Sequence, residues 1–168
     1  MRSVYLAGFD VFLPDAVAHG ERLKTLCATY GFEGLFPLDN AAPPGLSGQA
    51  LAAWIYRANV ALIRRADMVM ANLNPFRGAE PDSGTAFEVG YAIACGKPVW
   101  GYTTQAGTLI DQVAVGAAAD DGVSRMVDAE GLTVEDFGLN LNLMLACSAR
   151  IVVGGPADCL ASMARERA

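Results

Sequence analysis

The sequence predicts an α/β fold, a doubly wound sheet of five parallel strands with helices on both faces. Short apolar runs alternate along the chain with longer segments of helical pattern, which is the order of β-α-β units. Three of the five strand segments are nearly continuous apolar runs, as expected for strands buried on both faces. With 168 residues, of which 53% are hydrophobic and 18% charged, residues 1–168 are expected to form one globular domain.

The strand segments are short and are followed by turn residues. They are Ser3–Gly8, Phe32–Leu38, Asp67–Leu73, Lys97–Tyr102 and Arg150–Gly155. A doubly wound sheet binds its ligand at the carboxyl ends of the strands, where the strand order reverses. The tails of the first and third strands, 7–15 and 72–84, mix glycine, proline, aromatic and acidic residues. These tails are predicted to form the walls of a pocket.

Four segments between the strands have helical patterns, and two of them have a proline near the start. They are Pro14–Tyr30, Ser47–Arg65, Ser83–Cys95 and Pro156–Arg167. The stretch Thr103–Gly138 contains five glycines and several acidic residues. It is predicted to be a surface loop with short helical turns and not a further core element.

The charge of the chain limits its partners. A formal net charge of −6 and a pI near 4.6 argue against binding to nucleic acid or to an anionic membrane, which calls for clustered Lys and Arg. A small molecule or another protein is the expected partner. The sequence shows neither a signal-peptide pattern nor an apolar stretch of about 20 residues, so a cytoplasmic location is expected.

Neither a metal nor a cofactor is expected. The four cysteines have no C-x-x-C spacing and lie in helix-like surroundings, which predicts reduced, buried thiols (Cys27, Cys95, Cys147 and Cys159). His19 is the single histidine and is predicted to be a solvated helix residue, not a general base. The glycine-rich fingerprint of dinucleotide-binding proteins, the P-loop motif and the G-x-S-x-G elbow are all missing.

One carboxylate stands out, because Glu88 lies within a small and apolar helical stretch, "PDSGTAFEVGYA". Burial of an unpaired carboxylate costs several kcal/mol or shifts its pKa until it is neutral. In a helix that begins near Ser83, Gly84 and Ala92 share one stripe with Glu88 and leave a groove over it, in which Gly90 adds clearance. The residues predicted to face the sheet instead are Ala86, Val89 and Ile93.

Asp82 precedes this helix and is expected either to cap its first N–H groups or to point into the same pocket. Two carboxylates at one pocket are typical of covalent or acid–base chemistry at an electrophilic carbon, as in glycosyl transfer. The alternatives from spacing alone are a solvated surface glutamate at position 88 and an ordinary helix cap at position 82.

Four segments resemble the nucleoside 2-deoxyribosyltransferase family. They are "YLAG" (5–8), "PLDN" (37–40), the block 66–92, which contains the pattern D-x-G-x-x-x-E-x-G-x-A, and "FGLNLNLML" (137–145). The resemblance covers most of the chain from Tyr5 to Leu145. It implies a flavodoxin-like fold and a double-displacement exchange of nucleobases on 2-deoxyribonucleosides.

The resemblance also implies roles for individual residues. Glu88 matches the nucleophile that attacks the anomeric carbon, Asp82 matches the aspartate that holds the substrate and assists departure of the base, and Tyr5 matches the tyrosine that orients the nucleophile. Asn142 and Met144 match a segment that a neighbouring subunit donates to the sugar pocket, which implies a homo-oligomer. The partners implied are a nucleoside and a free nucleobase.

Further substrate contacts are expected from Gly8 and Gly84, which leave room for the ligand, and from two aromatic rings. Phe12 and Phe76 are predicted either to stack on a nucleobase or to pack internally. A further prediction pairs Arg77 with Glu80 in a surface ion pair.

The chain departs from the family pattern at the base-binding end. Asn59 stands where several relatives carry an aspartate that contacts the nucleobase, and an amide both donates and accepts hydrogen bonds where a carboxylate only accepts. Base preference is therefore expected to differ. Ala41 follows "PLDN" in place of a longer polar residue, and the chain ends "ARERA" without the terminal tyrosine of some relatives.

Two further functions remain open from the sequence. One is an N-glycosidase that hydrolyses nucleosides or (deoxy)nucleoside 5′-monophosphates, because water can resolve the same intermediate. The other is a non-catalytic nucleoside- or nucleotide-binding module. The missing basic cluster favours unphosphorylated substrates, and Glu88 is expected to be charged in the resting enzyme.

Overall fold

The computed structural model describes residues 1–120 and 122–166. Its strands are β1 Arg2–Ala7, β2 Phe32–Leu35, β3 Met68–Asn72, β4 Val99–Thr103, β5 Gly116–Asp120, β6 Val123–Val127 and β7 Arg150–Val153. Five of them form one parallel sheet in the order β2-β1-β3-β4-β7. Counted along the chain this is the order 2-1-3-4-5 of flavodoxin-like folds, with its switch point between β1 and β3. The predicted fold class is confirmed.

The helices are α1 Ala16–Thr29, α2 Gly48–Arg65, α3 Ser83–Ala94, α4 Leu109–Val113, α5 Leu143–Ala146 and α6 Pro156–Arg165. Short 3₁₀ turns follow β1 and β2, at Phe9–Phe12 and Pro37–Asp39. The four helices expected from the sequence are present. Arg167, the last residue of the fourth predicted segment, lies outside the described residues.

The core has two halves because side chains alternate across each strand. In β1, Val4 and Leu6 pack towards α1 and α6, whereas Tyr5 and Ala7 pack towards α2 and α3. Tyr5 is fully buried. Its position in the alternation therefore places its ring on the face of the sheet that α3 covers.

The segment between β4 and β7 differs from its prediction. It contains the short helix α4, as expected, and also an antiparallel hairpin of β5 and β6, which the sequence interpretation missed. The hairpin forms its own two-stranded sheet.

The prediction of buried thiols is right for two of the four cysteines. Cys27 and Cys159 are fully buried, and burial raises their pKa to about 11 and about 12, so both stay protonated near neutral pH. Cys95 and Cys147 are exposed, and each is the C-terminal cap of a helix, α3 and α5 respectively. All four are free thiols.

His19 is not simply a solvated helix residue. Its Nε2 lies 2.9 Å from Oδ1 of the buried Asp10, although the ring N–H does not point at that oxygen as in a good hydrogen bond. Among the described helices, none is both long and apolar enough to cross a membrane.

Candidate active site

A pocket of about 490 Å³ opens at the carboxyl end of β1, between α2 and the start of α3. Its volume lies in the range of small-molecule sites, about 300–1,000 Å³. The switch point between β1 and β3 leaves this space because the connections leave the sheet towards opposite faces. The residues that line it are Gly8, Val11, Phe12, Pro37, Leu38, Asn40, Ala42, Leu51, Trp54, Ile55, Asn59, Asp82, Gly84, Thr85 and Glu88.

Glu88 points from α3 towards β1, where the Tyr5 hydroxyl donates a hydrogen bond of 2.5 Å to its Oε1. Burial raises the pKa of Glu88 to about 7, the Tyr5 hydrogen bond lowers it, and the negative charge of Asp82 raises it again. Burial, together with the neighbouring Glu88 charge, also raises the pKa of Tyr5, so the phenol stays a donor. Glu88 is thus partly protonated near neutral pH, whereas a charged group was expected from the sequence.

Asn59 reaches the same carboxylate from α2. Its Nδ2 donates to Glu88 Oε1 over 3.4 Å, and this contact also lowers the pKa of Glu88. Asn59 lines the pocket, as expected for a residue that contacts the base, and among the described residues its side chain hydrogen-bonds to the glutamate.

Asp82 both caps α3 and lines the pocket, so the two alternatives for this residue hold together. Its Oδ2 accepts hydrogen bonds from the Thr85 backbone N–H at 2.9 Å and from the Thr85 hydroxyl at 3.1 Å. The other oxygen, Oδ1, makes no hydrogen bond to the described residues. Thr85 is almost fully buried and was not predicted as a site residue.

Two glycines, Gly8 and Gly84, line the pocket. A Cβ on Gly8 would lie 2.3 Å from Asp10 Oδ2 and 2.8 Å from Asn72 Cβ. Asn72 Nδ2 donates to Asp10 Oδ2 at 3.0 Å, so this buried pair fixes the floor beneath Gly8. Gly84, in the first turn of α3, lines the same wall as Glu88.

The two candidate aromatic residues have different positions. Phe12 lines the pocket, whereas Phe76 lies outside it and stacks on both Phe12 and Phe9, with ring centroids 5.3 and 5.2 Å away. The Arg77 guanidinium lies over the Phe76 ring at 4.6 Å and over the Phe12 ring at 5.5 Å, in place of the expected ion pair with Glu80. Phe76 therefore supports the pocket wall from behind.

Asn142 and Met144 do not reach the Glu88 pocket of their own chain. They line a second cavity of about 480 Å³ on the other side of α3, together with Gly90 and Ile93. Asn142 caps α5 and donates to Glu135 at 2.7 Å, whereas the Met144 side chain is 71% exposed. Gly90 was expected to border the groove over Glu88, and Ile93 was expected to face the sheet. In the structure both residues line this second cavity instead.

Ala92 also differs from its prediction, because it is fully buried in the core beside Val89. Eight residues of an α-helix turn through two full turns and about 80° more. Ala92 therefore lies about 80° around the helix axis from Gly84, on the side that faces the core and not over the groove.

The wall opposite Glu88 was missed by the sequence interpretation. It comes largely from α2, whose residues Leu51, Trp54 and Ile55 precede Asn59 by eight, five and four positions. An available signal was the helical spacing itself, since residues four and eight positions before Asn59 share its face. This wall is apolar and includes an indole, which suits a flat heterocyclic ring.

The chain is similar to one protein family in sequence and to solved structures in fold. The family model described as nucleoside 2-deoxyribosyltransferase matches residues 4–144. The chain belongs to this family. The match includes every candidate residue from Tyr5 to Met144. The nucleoside 2-deoxyribosyltransferase family is an enzyme family that acts on N-glycosidic bonds of nucleosides, and the site combines a buried carboxylate with an apolar wall.

Individual relatives are consistent with this membership. The solved structure of a 2-desoxiribosyltransferase from Leishmania mexicana is 33% identical, with a TM-score of 0.78 and coverage of 100% of both chains. An uncharacterized protein of Schizosaccharomyces pombe is 35% identical over 158 residues, which are 84% of this chain and 74% of that protein. A conserved protein from Enterococcus faecalis shares the fold at 22% identity, with a TM-score of 0.64 and coverage of 100% and 99%.

Proposed function

We propose that this protein transfers the 2-deoxyribosyl group between nucleobases by double displacement through a covalent intermediate on Glu88. The observation that carries the proposal is the Glu88 carboxylate, which Tyr5 holds in a ligand-sized pocket, in a chain of this transferase family. The relative from Leishmania mexicana bears the same activity in its name.

In the first half-reaction, a Glu88 carboxylate oxygen forms a bond to the anomeric carbon, and the bond from that carbon to the base nitrogen breaks. The base leaves with the electron pair of that bond and takes up a proton. A 2-deoxyribosyl centre lacks the electron-withdrawing 2-hydroxyl, so positive charge develops at this carbon more easily and the carboxylate stabilises it.

In the second half-reaction, a nitrogen of the incoming base attacks the same carbon and Glu88 departs as carboxylate, while the new base loses its proton. Two inversions give net retention of configuration. Asp82 is assigned the proton transfer or the binding of the sugar, because it lines the same pocket and its Oδ1 makes no hydrogen bond to the described residues.

The pocket favours nucleosides over nucleoside monophosphates. Its described lining contains the two acids Asp82 and Glu88 and neither Lys nor Arg. A phosphate placed beside two carboxylates without a cation is electrostatically unfavourable. This supports unphosphorylated substrates.

We further propose that the site is shared between subunits of a homo-oligomer. Asn142 and Met144 lie on the far side of α3 from the Glu88 of their own chain, and Met144 is largely exposed. A residue in that position is available to a neighbouring copy, as the resemblance to the family implies. A cytoplasmic role in the salvage of nucleosides is part of the same proposal.

The test is an incubation with deoxyinosine and adenine or cytosine, analysed by chromatography. A new deoxynucleoside is the expected product. Free 2-deoxyribose would instead indicate an N-glycosidase, and binding without turnover across a panel of bases and monophosphates would leave a non-catalytic module.

Substitution of the nucleophile gives the first prediction. Glu88→Gln keeps the size of the side chain but replaces the carboxylate with a neutral, poorly nucleophilic amide, so transfer is expected to fall by at least about 10³-fold. Glu33→Gln, at an exposed position of β2, is the matched control and retains the parent rate. Full activity of Glu88→Ala would remove the assignment of Glu88 even if transfer is observed.

A further inference from the structure

We propose that Asn59 is a positioning residue for the nucleophile: its amide and the Tyr5 hydroxyl together hold Oε1 of Glu88 and leave Oε2 free to attack the sugar. The inference rests on the proposed role of Glu88 as nucleophile. It assigns Asn59 a function in the chemical step in addition to any contact with the base.

The geometry of the carboxylate carries this inference. Tyr5, from β1, and Asn59, from α2, donate to the same oxygen over 2.5 and 3.4 Å. One hydrogen bond leaves a carboxylate able to rotate about its terminal torsion, whereas two donors from different elements restrict that rotation. Oε2 accepts no hydrogen bond from any residue of 1–120 or 122–166, so it is the oxygen available to a substrate.

At 3.4 Å, the contact from Asn59 to Glu88 is long for a hydrogen bond. Hydrogen bonds of catalytic groups often shorten when substrate binds. An amide donor to a charged acceptor is also stronger than one to a neutral acceptor. We therefore expect the Asn59 contact to strengthen as Glu88 ionises.

The residue type at position 59 also affects the charge state of Glu88. The titratable groups that face Glu88 are Tyr5 from β1 and Asp82 at the start of α3, and α2 contributes the neutral amide. Asp82 already disfavours a charge on Glu88, whereas the donors from Tyr5 and Asn59 favour it. A carboxylate at position 59 would place another negative charge beside the nucleophile, so the amide keeps Glu88 ionisable near neutral pH.

The alternative is that Asn59 contacts only the nucleobase. The two roles differ in when and where they act. A positioning role exists in the free protein and affects both half-reactions with every base, because Glu88 serves all of them. A base-contact role acts only in the complex and differs from base to base.

The deciding experiment is a carbon-13 NMR titration of the glutamate carboxyls in the free protein, in which Glu88→Gln identifies the Glu88 signal. We expect the midpoint of Glu88 to rise by about half a pH unit or more in Asn59→Leu and in Asn59→Asp. Asn40→Leu, another asparagine of the same pocket without a bond to Glu88, is the matched control and leaves the midpoint unchanged. A parent-like midpoint in both Asn59 variants would overturn the proposal.

Kinetics provide an independent measurement. In Asn59→Leu the acid limb of kcat/KM is expected to shift by the same amount as the NMR midpoint, and kcat to fall by a similar factor for every base. A change confined to KM for particular bases would assign Asn59 to base recognition alone. If the parent protein shows no turnover, the proposed function fails, and the titration still decides whether Asn59 holds Glu88.

Discussion

Burial of Glu88 makes its proton affinity different in the folded and unfolded chain. Its pKa rises from the ordinary value of 4.5 to about 7. Between these values the folded protein retains a proton that the unfolded chain has lost, so the contribution of Glu88 to stability decreases as pH rises through this window. Above pH 7 the folded state holds a charged carboxylate in a poorly hydrated place.

Glu88→Gln is therefore expected to stabilise the folded protein at high pH while it abolishes transfer. The full pKa difference corresponds to a gain of about 3 kcal/mol at pH 8, and the gain should be much smaller at pH 4.5. Urea unfolding of both proteins at the two pH values checks this. An equal difference at both pH values would contradict the assignment of the titration to Glu88.

Under the proposed mechanism, Glu88 also limits transfer at low pH. Because attack requires the ionised carboxylate, kcat/KM is expected to rise about tenfold per pH unit below pH 7 and to level off above it. The rate with deoxyinosine, measured from pH 5 to pH 8, checks this. A rate that is flat across this range would show that a group other than Glu88 controls attack.

At the level of residues, the site could be predicted from the sequence where its residues are neighbours along one helix. Asp82, Gly84 and Glu88 lie in α3 and its N-terminal cap, and their place after the third strand, with glycines beside Glu88, indicated a pocket. The contact between Asn59 and Glu88 joins residues 29 positions apart on two helices. It depends on how α2 packs beside α3, and no local pattern encodes that distance.

Among the elements, α1 and α3 each contain a glycine in mid-helix, and the two positions differ in surroundings. A Cβ on Gly20 would lie 2.4 Å from the ring of the buried Phe36, whereas a Cβ on Gly90 meets no atom within 4 Å. Alanine is the better helix former at both positions, so only the packing differs. The glycine in α1 allows that helix to approach the end of β2.

Gly20→Ala and Gly90→Ala are therefore expected to have opposite effects on the free energy of unfolding. Gly20→Ala should destabilise the protein by about 1–3 kcal/mol through overpacking against Phe36. Gly90→Ala should stabilise it by about 0.5–1 kcal/mol, because alanine loses less backbone entropy in a helix. Thermal and urea unfolding of the pair check the signs, and the same sign for both would refute the packing argument.

The elements of the parallel sheet were predictable because its strands are buried apolar runs. The β5–β6 hairpin was not found because Gly116–Asp120 is rich in alanine and glycine, which are weak strand formers. The aspartate–glycine pair at 121–122 in the sequence was an available turn signal, but Val123–Val127, which follows it, lacks the apolar–polar alternation of a typical strand. Pairing along the backbone, more than side-chain propensity, defines this element.

At the scale of the whole molecule, the proposed sharing of the site between subunits would make activity depend on assembly. If Met144 completes a neighbouring pocket, the specific activity should fall on dilution below the dissociation constant of the oligomer. Met144→Asp should lower both activity and oligomer size, whereas Val17→Asp, 67% exposed on α1, should change neither. Enzyme assays with size-exclusion chromatography measure both. A dilution-independent rate from a monomer would contradict a shared site.

The hydrogen bonds on Glu88 have a consequence for how the protein regains activity after denaturation. Tyr5 and Asn59 lie 83 and 29 residues from Glu88 along the chain and belong to a strand and a helix that must dock separately. Recovered turnover therefore requires contacts of long sequence separation, which form late and slowly in folding. Refolding followed by catalysis should lag behind refolding followed by helix content.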